Sequence, residues 1–200
     1  MRLFLAVFPP AEVQRAAYGL IEALRRPGDG VSWVKPENLH YTLRFLGELG
    51  EDGARRAAGA ATEAASAAKA FAAALGGLGA FPNPRRARVI WIGMSEGGEA
   101  LVTLAGGLDR ALAKRGFGAP DKPFSPHLTL GRVREPRNDL TAALAEPRPA
   151  DPPARFTVDR ICVVESQLSP RGPIYTVRAE APLAVAWPPG ISADRSTPCD

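Results

Sequence analysis

The sequence predicts an α+β protein whose sheets are mainly antiparallel, and three observations lead there. Strand-length apolar runs intermingle with amphipathic helical stretches along the chain. Many of the connections are short turns, which suit antiparallel neighbours better than parallel crossovers. The segment Pro36-Glu37-Asn38-Leu39-His40-Tyr41-Thr42-Leu43 is echoed by Phe124-Ser125-Pro126-His127-Leu128-Thr129-Leu130, which suggests two similar lobes carrying one copy each.

Taken in order, Leu3 to Phe8 reads as a buried strand ended by Pro9 and Pro10. An amphipathic helix follows from about Ala11 to Arg26, with Val13, Ala17, Leu20 and Leu24 on one face and Pro27 and Gly28 as the stop. Val31 to Val34 is a short strand, and Leu39 to Leu46 a clearer one closed by Gly47. The alanine-rich stretch from Asp52 to about Lys69 suits a helix, since alanine has no side-chain entropy to lose there. Ala70 to Leu78 is taken as strand, because Gly76, Gly77 and Gly79 argue against a continuing helix. Val89 to Met94 is a further strand. Leu101, Leu104, Leu108 and Leu112 then form one stripe of a helix from Glu99 to Arg115, stopped by Gly116. His127 to Val133 is the second motif strand, and Asn138 can cap a short helix ending before Pro147. Two last strands, Phe156 to Glu165 and Ile174 to Glu180, meet through Ser169-Pro170-Arg171-Gly172. Residues 1–181 are expected to form one bilobal domain, and 182–200 a proline-rich, loosely ordered tail.

With 200 residues, 46% of them hydrophobic, the chain can bury one substantial core or two small lobes sharing an interface. A net charge of +4 and a pI near 9.4 favour anionic partners. Seven basic residues (Arg110, Lys114, Arg115, Lys122, Arg132, Arg134 and Arg137) crowd around the second motif, with Arg85, Arg86 and Arg88 nearby. That is how a phosphate footprint would look, although a solvated face accounts equally well for any single arginine. Cys162 and Cys199 read as one buried and one exposed free thiol. The apolar run at the N-terminus is too short for a signal peptide, and nothing approaches membrane-spanning length, so a soluble cytoplasmic protein is expected. Two histidines and two badly placed cysteines do not make a zinc site, and no phosphate-loop signature occurs. Neither a metal nor another cofactor is expected.

The chemistry rests on the two histidines, His40 and His127, each followed two residues later by threonine, Thr42 and Thr129. Residues i and i+2 of a strand share a face, so each motif offers an imidazole and a hydroxyl together. Tyr41, Leu43, Leu128 and Leu130 then point the other way, into a core. A lone histidine in a strand is ordinarily a hydrogen-bonded core residue; two matched copies with no other histidine favour a site. At neutral pH one ring can serve as base and the other as acid, which suits phosphodiester cleavage, while the threonines donate to phosphate oxygens. Arg132 adds a guanidinium fork suited to phosphate. Strict alternation puts it on the wrong face, unless a bulge at Gly131 corrects this. Arg44 has the right parity but lies further along, at best a peripheral phosphate contact. Trp33, Tyr41, Phe45 and Trp91 could stack on a base, yet a place in the core is the stronger reading for each.

Trp33 to Gly47, around the first motif, and Pro126-His127-Leu128-Thr129-Leu130-Gly131-Arg132-Val133, around the second, resemble the two-histidine phosphoesterase superfamily. Within it the likeness is to the RNA 2′,3′-cyclic phosphodiesterases, also called 2′-5′ RNA ligases. Arg2 to Val7, Arg88 to Trp91, and Glu165-Ser166-Gln167-Leu168 with Gly172-Pro173-Ile174-Tyr175 share it, so it spans about residues 2 to 180. The resemblance implies two lobes with helices packed outside and both motifs on facing strands of a central cleft. It implies metal-independent hydrolysis of a 2′,3′-cyclic phosphate to a 2′-phosphomonoester, with His127 activating water and His40 protonating the departing 3′-oxygen. Thr42, Thr129 and Arg132 would hold the phosphate, and some relatives also join RNA through a reverse 2′-5′ ligation. The residues alone supply an acid and a base without saying which is which. The expected partner is an RNA or oligonucleotide with a cyclic phosphate end, met by a monomer. Two alternatives share the pocket: a nucleotide- or RNA-binding module without turnover, distinguished by binding without product, and a sister enzyme for ADP-ribose cyclic phosphate or 2′,5′-oligoadenylate, distinguished by residues on the nucleoside side.

Overall fold

The computed structural model describes residues 1–134, 139–145, 154–170 and 172–184. Strand β1 (Arg2–Val7) ends at Pro9 and Pro10, and helix α1 (Ala11–Leu24) starts directly behind them. α1 buries Val13, Ala17 and Ile21, and its Arg25 N–H closes on the Ile21 carbonyl. Strand β2 (Val31–Trp33) and a 3-10 turn at Pro36–Asn38 lead into β3 (Tyr41–Glu48). Helix α2 (Glu51–Ser66) buries Ala57, Ala60, Ala61 and Ala65, small side chains that let it lie close against its neighbours. Strand β4 (Phe71–Phe81) runs through the glycines, with Gly77 at φ +60° where its register against β5 (Val89–Glu96) shifts. Helix α3 (Gly98–Ala113) buries the leucine stripe Leu101, Leu104, Leu108 and Leu112. Strand β6 (Leu128–Val133) and the short helix α4 (Thr141–Ala145) follow; at α4 the Thr141 N–H donates to the Asp139 carboxylate. Asn138, the expected cap, lies outside the described residues.

The apolar run expected as one strand from Phe156 to Glu165 is two: β7 (Arg155–Val158) and β8 (Arg160–Ser169). β7 pairs with β4 and β8 with β1, so the chain crosses at Asp159 from one half of the sheet to the other. The nearly continuous apolar run hides that crossing. Strand β9 (Gly172–Pro182) pairs along β8, and the chain stays tied to the fold as far as Ala184, whose N–H donates to the Ala68 carbonyl. The tail expected from residue 182 therefore overlaps Pro182–Ala184, which are paired; the rest lies outside the described residues.

The strands form one sheet in the order β7-β4-β5-β6-β3-β1-β8-β9, with β2 also on β6, and every strand pairing is antiparallel. At its centre β3 and β6 share one opposed pair, Tyr41 with Leu128. The sheet opens there. Each motif strand lies antiparallel to the strand that precedes it across a helix, β1–α1–β3 on one side and β5–α3–β6 on the other. That is the two-lobed repeat, although β8 and β9 return to complete the first half. The main core lies under the helices and includes Leu5, Tyr41, Leu43, Leu108, Leu128 and Leu130. A second, smaller cluster of Phe4, Ala6, Cys162 and Val164 covers the other face of the first half. No helix among the described residues is long and apolar enough to cross a membrane.

Candidate active site at the sheet seam

Tyr41 and Leu128, the opposed pair at the seam, are fully buried toward the helices. Side chains one position away turn to the other face. Continuing the antiparallel register by one residue sets His40 beside Thr129 and Thr42 beside His127. Each imidazole thus lies across the seam from the other motif's hydroxyl.

The two rings are held alike. His40 Nδ1 lies 2.7 Å from the Asn38 carbonyl oxygen, and His127 Nδ1 lies 2.7 Å from that of Ser125. A carbonyl only accepts, so Nδ1–H donates in both rings and Nε2 is the nitrogen free to take or release a proton. In the neutral His40 ring the Thr42 hydroxyl donates to Nε2 across 2.9 Å. Asn38 is itself buried, and its amide donates to the Pro173 carbonyl at 3.0 Å, which ties the turn before His40 to β9.

Aromatic rings frame both imidazoles. His40 lies 4.9 Å from Phe4, 5.3 Å from Phe8 and 5.3 Å from Tyr175, the last edge-on. His127 stands edge-on to Phe81 at 5.0 Å and to Trp91 at 6.5 Å. This apolar surround disfavours the charged rings. Burial pushes His40 down to about 4, opposed by its Asn38 bond and reinforced by the charges of Arg132 and His127. His127 is lowered for the same first reason, with Ser125 opposing and Arg132 adding to it.

Arg132 reaches the cleft through a bulge. Along the β5–β6 ladder Ile90 faces Gly131 and Trp91 faces Thr129, so Leu130 is the extra residue. Leu130 and Gly131 are both buried, alternation resumes one step late, and Arg132 shares the face of Thr129. Its charge acts on His40, His127 and Tyr175 together. Glycine is required at 131 because a Cβ there would stand 2.7 Å from Val31 Cγ1 and 2.9 Å from Trp33 Cε3. Gly131→Ala is expected to cost about 1–3 kcal/mol of overpacking, read by chemical denaturation, and to lower kcat/KM as Arg132 is displaced. An unchanged kcat/KM would show that the bulge does not aim Arg132.

Other sequence candidates fall elsewhere. Arg44 is not a phosphate contact; it pairs with Asp109 of α3 at 2.7 Å and donates to the Gly118 carbonyl. The basic run around the second motif divides. Lys114 and Arg115 pair with Glu63 of α2 at 2.7 and 2.6 Å, and Arg134 donates to Ser32, while Arg137 lies outside the described residues. Tyr41 is core, Trp33 packs on Gly131 and donates to Asp29, and Phe45 is exposed. Phe4, Phe8, Phe81 and Tyr175 escaped sequence reasoning, because the segments that carry them are remote from the motifs in sequence; Asn38 lies two residues before His40, but its anchoring role depends on a turn whose amide bonds to distant Pro173. Phe4 alone left a signal: its strand is apolar on both faces, which says that something covers each.

The 2′-5′ RNA ligase superfamily matches residues 9–169. An RNA 2′,3′-cyclic phosphodiesterase of Methanothermobacter thermautotrophicus is 36% identical over 88% of this chain and 95% of its own length. One from Archaeoglobus fulgidus is 38% identical over 88% and 96%. Among solved structures, a Thermus thermophilus protein superposes with a TM-score of 0.76 at 32% identity, covering 94% of this chain and 100% of that one. Escherichia coli LigT in complex with 3′-AMP superposes with a TM-score of 0.71 at 26% identity, covering 91% and 97%.

Proposed function

Because the chain belongs to the 2′-5′ RNA ligase superfamily, we propose that its cleft hydrolyses RNA 2′,3′-cyclic phosphate ends to 2′-phosphomonoesters. His127 accepts a proton from the attacking water, and His40 donates one to the departing ribose 3′-oxygen. The observation that carries this reading is the seam itself. Two Nε2 atoms with identically anchored rings share one cleft with two hydroxyls, under the charge of one arginine. Such a set supplies base, acid and anion stabilisation to a phosphodiester without further groups.

Thr42, Thr129 and Arg132 hold the non-bridging oxygens. On binding, the Thr42 hydroxyl turns from Nε2 to phosphate, which frees that nitrogen for the 3′-oxygen. The ascription of donor to the first motif and acceptor to the second follows the family resemblance. The chain works without a metal, as a monomer in the cytoplasm, and residues 1–181, with Pro182–Ala184 paired onto them, act as one bilobal unit.

The test is incubation with RNA ending in a 2′,3′-cyclic phosphate, separating 2′- from 3′-phosphate products. A 2′-phosphate is expected, at a rate unchanged by EDTA. A 3′-phosphate would reverse the geometry around His40, and loss of activity in EDTA with recovery on adding a divalent cation would sink the metal-free mechanism.

The lowered histidines set a pH dependence. The productive state has His40 protonated and His127 neutral, and in the free protein it is most populated between their two titrations. The maximum of kcat/KM is therefore expected on the acid side of the ordinary histidine value of about 6.5. A bound phosphodiester anion favours the proton on His40, so the kcat profile lies at higher pH. A kcat/KM maximum above neutrality would contradict this.

A further inference from the structure

The cleft face of β6 carries a row of side chains that continues beyond the seam. His127 stands at one end, Thr129 with the facing His40 comes next, and Arg132 follows after the bulge. Ser32 opposes Arg132 across the β2–β6 ladder, so its side chain shares that face. Arg134 donates from Nε to the Ser32 hydroxyl at 2.8 Å, and its backbone N–H donates to the Gly30 carbonyl at 2.9 Å. Arg134 therefore extends the row, its Cα about 6.5 Å beyond that of Arg132. The bond to Ser32 uses the Nε–H donor and leaves both terminal amino groups of an exposed fork free. Arg44, Lys114, Arg115 and Arg160 each have a carboxylate partner. Among the described residues Arg132 and Arg134 have none. Two uncompensated charges thus stand side by side on the cleft face, and one is anchored before any ligand arrives.

The direction of the row identifies its ligand. Displacement at phosphorus is in line, so water enters on the His127 side and the 3′-oxygen departs on the His40 side. The ribose that carries this oxygen lies away from His127, and Arg132 and Arg134 follow in that same direction along β6. The next anion of an RNA strand beyond the terminal ribose is the phosphodiester on its 5′-oxygen, one nucleotide step from the cyclic phosphate. We propose that Arg134 binds this 5′-side phosphate, so that the cleft selects the end of an RNA strand over a free cyclic mononucleotide. This rests on the hydrolase reading above and on the role given there to His40. Arg132 serves the reacting phosphate and Arg134 the one behind it, while Ser32 positions the Arg134 fork. Such a contact reads no base; it fixes the position and polarity of the strand.

The experiment compares three substrates: adenosine 2′,3′-cyclic phosphate, the same nucleotide bearing a 5′-phosphate, and an adenylate dinucleotide ending in a 2′,3′-cyclic phosphate. From the first to the other two, kcat/KM should rise about tenfold, the scale of one hydrogen bond to a charged group. Arg134→Ala should remove that gain and bring the three substrates to one value, and Arg134→Lys should keep part of it. The slope of log kcat/KM against log salt for the dinucleotide should become shallower by about 0.7 in Arg134→Ala, one phosphate contact on a single strand. Arg88→Ala removes the same charge opposite Val133, on the other face of the sheet, and should keep the substrate ratio. Equal values for the three substrates in the wild type, or an Arg134→Ala that slows all three alike, overturn the proposal. Binding is followed separately by calorimetry with adenosine 2′-monophosphate and adenosine 2′,5′-bisphosphate. Tighter binding of the bisphosphate that Arg134→Ala abolishes, without turnover of any cyclic phosphate, would leave the Arg134 site standing and overturn the hydrolase reading instead.

Discussion

His127→Ala is expected to lower kcat on RNA cyclic phosphate ends by about 100-fold or more, the usual worth of positioned general acid–base assistance. The ring has no other evident task at Nε2, since Nδ1 is already bonded to the Ser125 carbonyl. It stands at the head of β6, partly open to the cleft, so thermal unfolding should shift little. His40 calls for a different substitution because it packs against Phe4, Phe8 and Tyr175. His40→Gln keeps bulk there and should lose activity by a similar factor. The two losses should not multiply in the double variant, because acid and base act in one step. A single variant retaining more than a tenth of the wild-type kcat would remove its histidine from the chemistry.

Arg132→Ala is expected to reduce kcat/KM by about 100- to 1,000-fold, as when a donor to developing charge is lost. Arg132→Lys should recover only part, since a point charge replaces a two-pronged donor. The pH profile separates this role from a merely structural one. Arg132 holds both histidines down by its charge, after burial has done most of it. Removing a positive charge makes protonation easier, so both titrations rise and the kcat/KM optimum moves to higher pH. A loss of rate without that movement would mean that Arg132 acts on the fold and not on the site's electrostatics.

Much of the fold was legible because its elements are written in local patterns. The leucine stripe of α3, the proline stop after β1 and the alternation of Tyr41 and Leu43 against Thr42 each follow from periodicity over a few residues. The break at Asp159 was not legible. Both flanks are apolar and strand-like, and only their different partners, β4 and β1, separate them. The site divides in the same way. His40, Thr42, His127 and Thr129 announce themselves by spacing, and Gly131 before Arg132 hints at a bulge. Arg44 misleads, because its correct parity says nothing of Asp109, which waits on a helix far along the chain.

The sequence by itself determined two imidazole–hydroxyl pairs, each on one face of a strand with an apolar anchor behind it. That information is local, since side-chain direction in a strand follows from the backbone's period of two. Tertiary structure decided that β3 and β6 meet at a single opposed pair, which brings the two motifs across one seam. It also decided that Leu130 bulges to turn Arg132 into the cleft, and that Ser32 holds Arg134 on the same face. These depend on register between strands distant in sequence, and register is set by the packing of both faces at once rather than by any one segment.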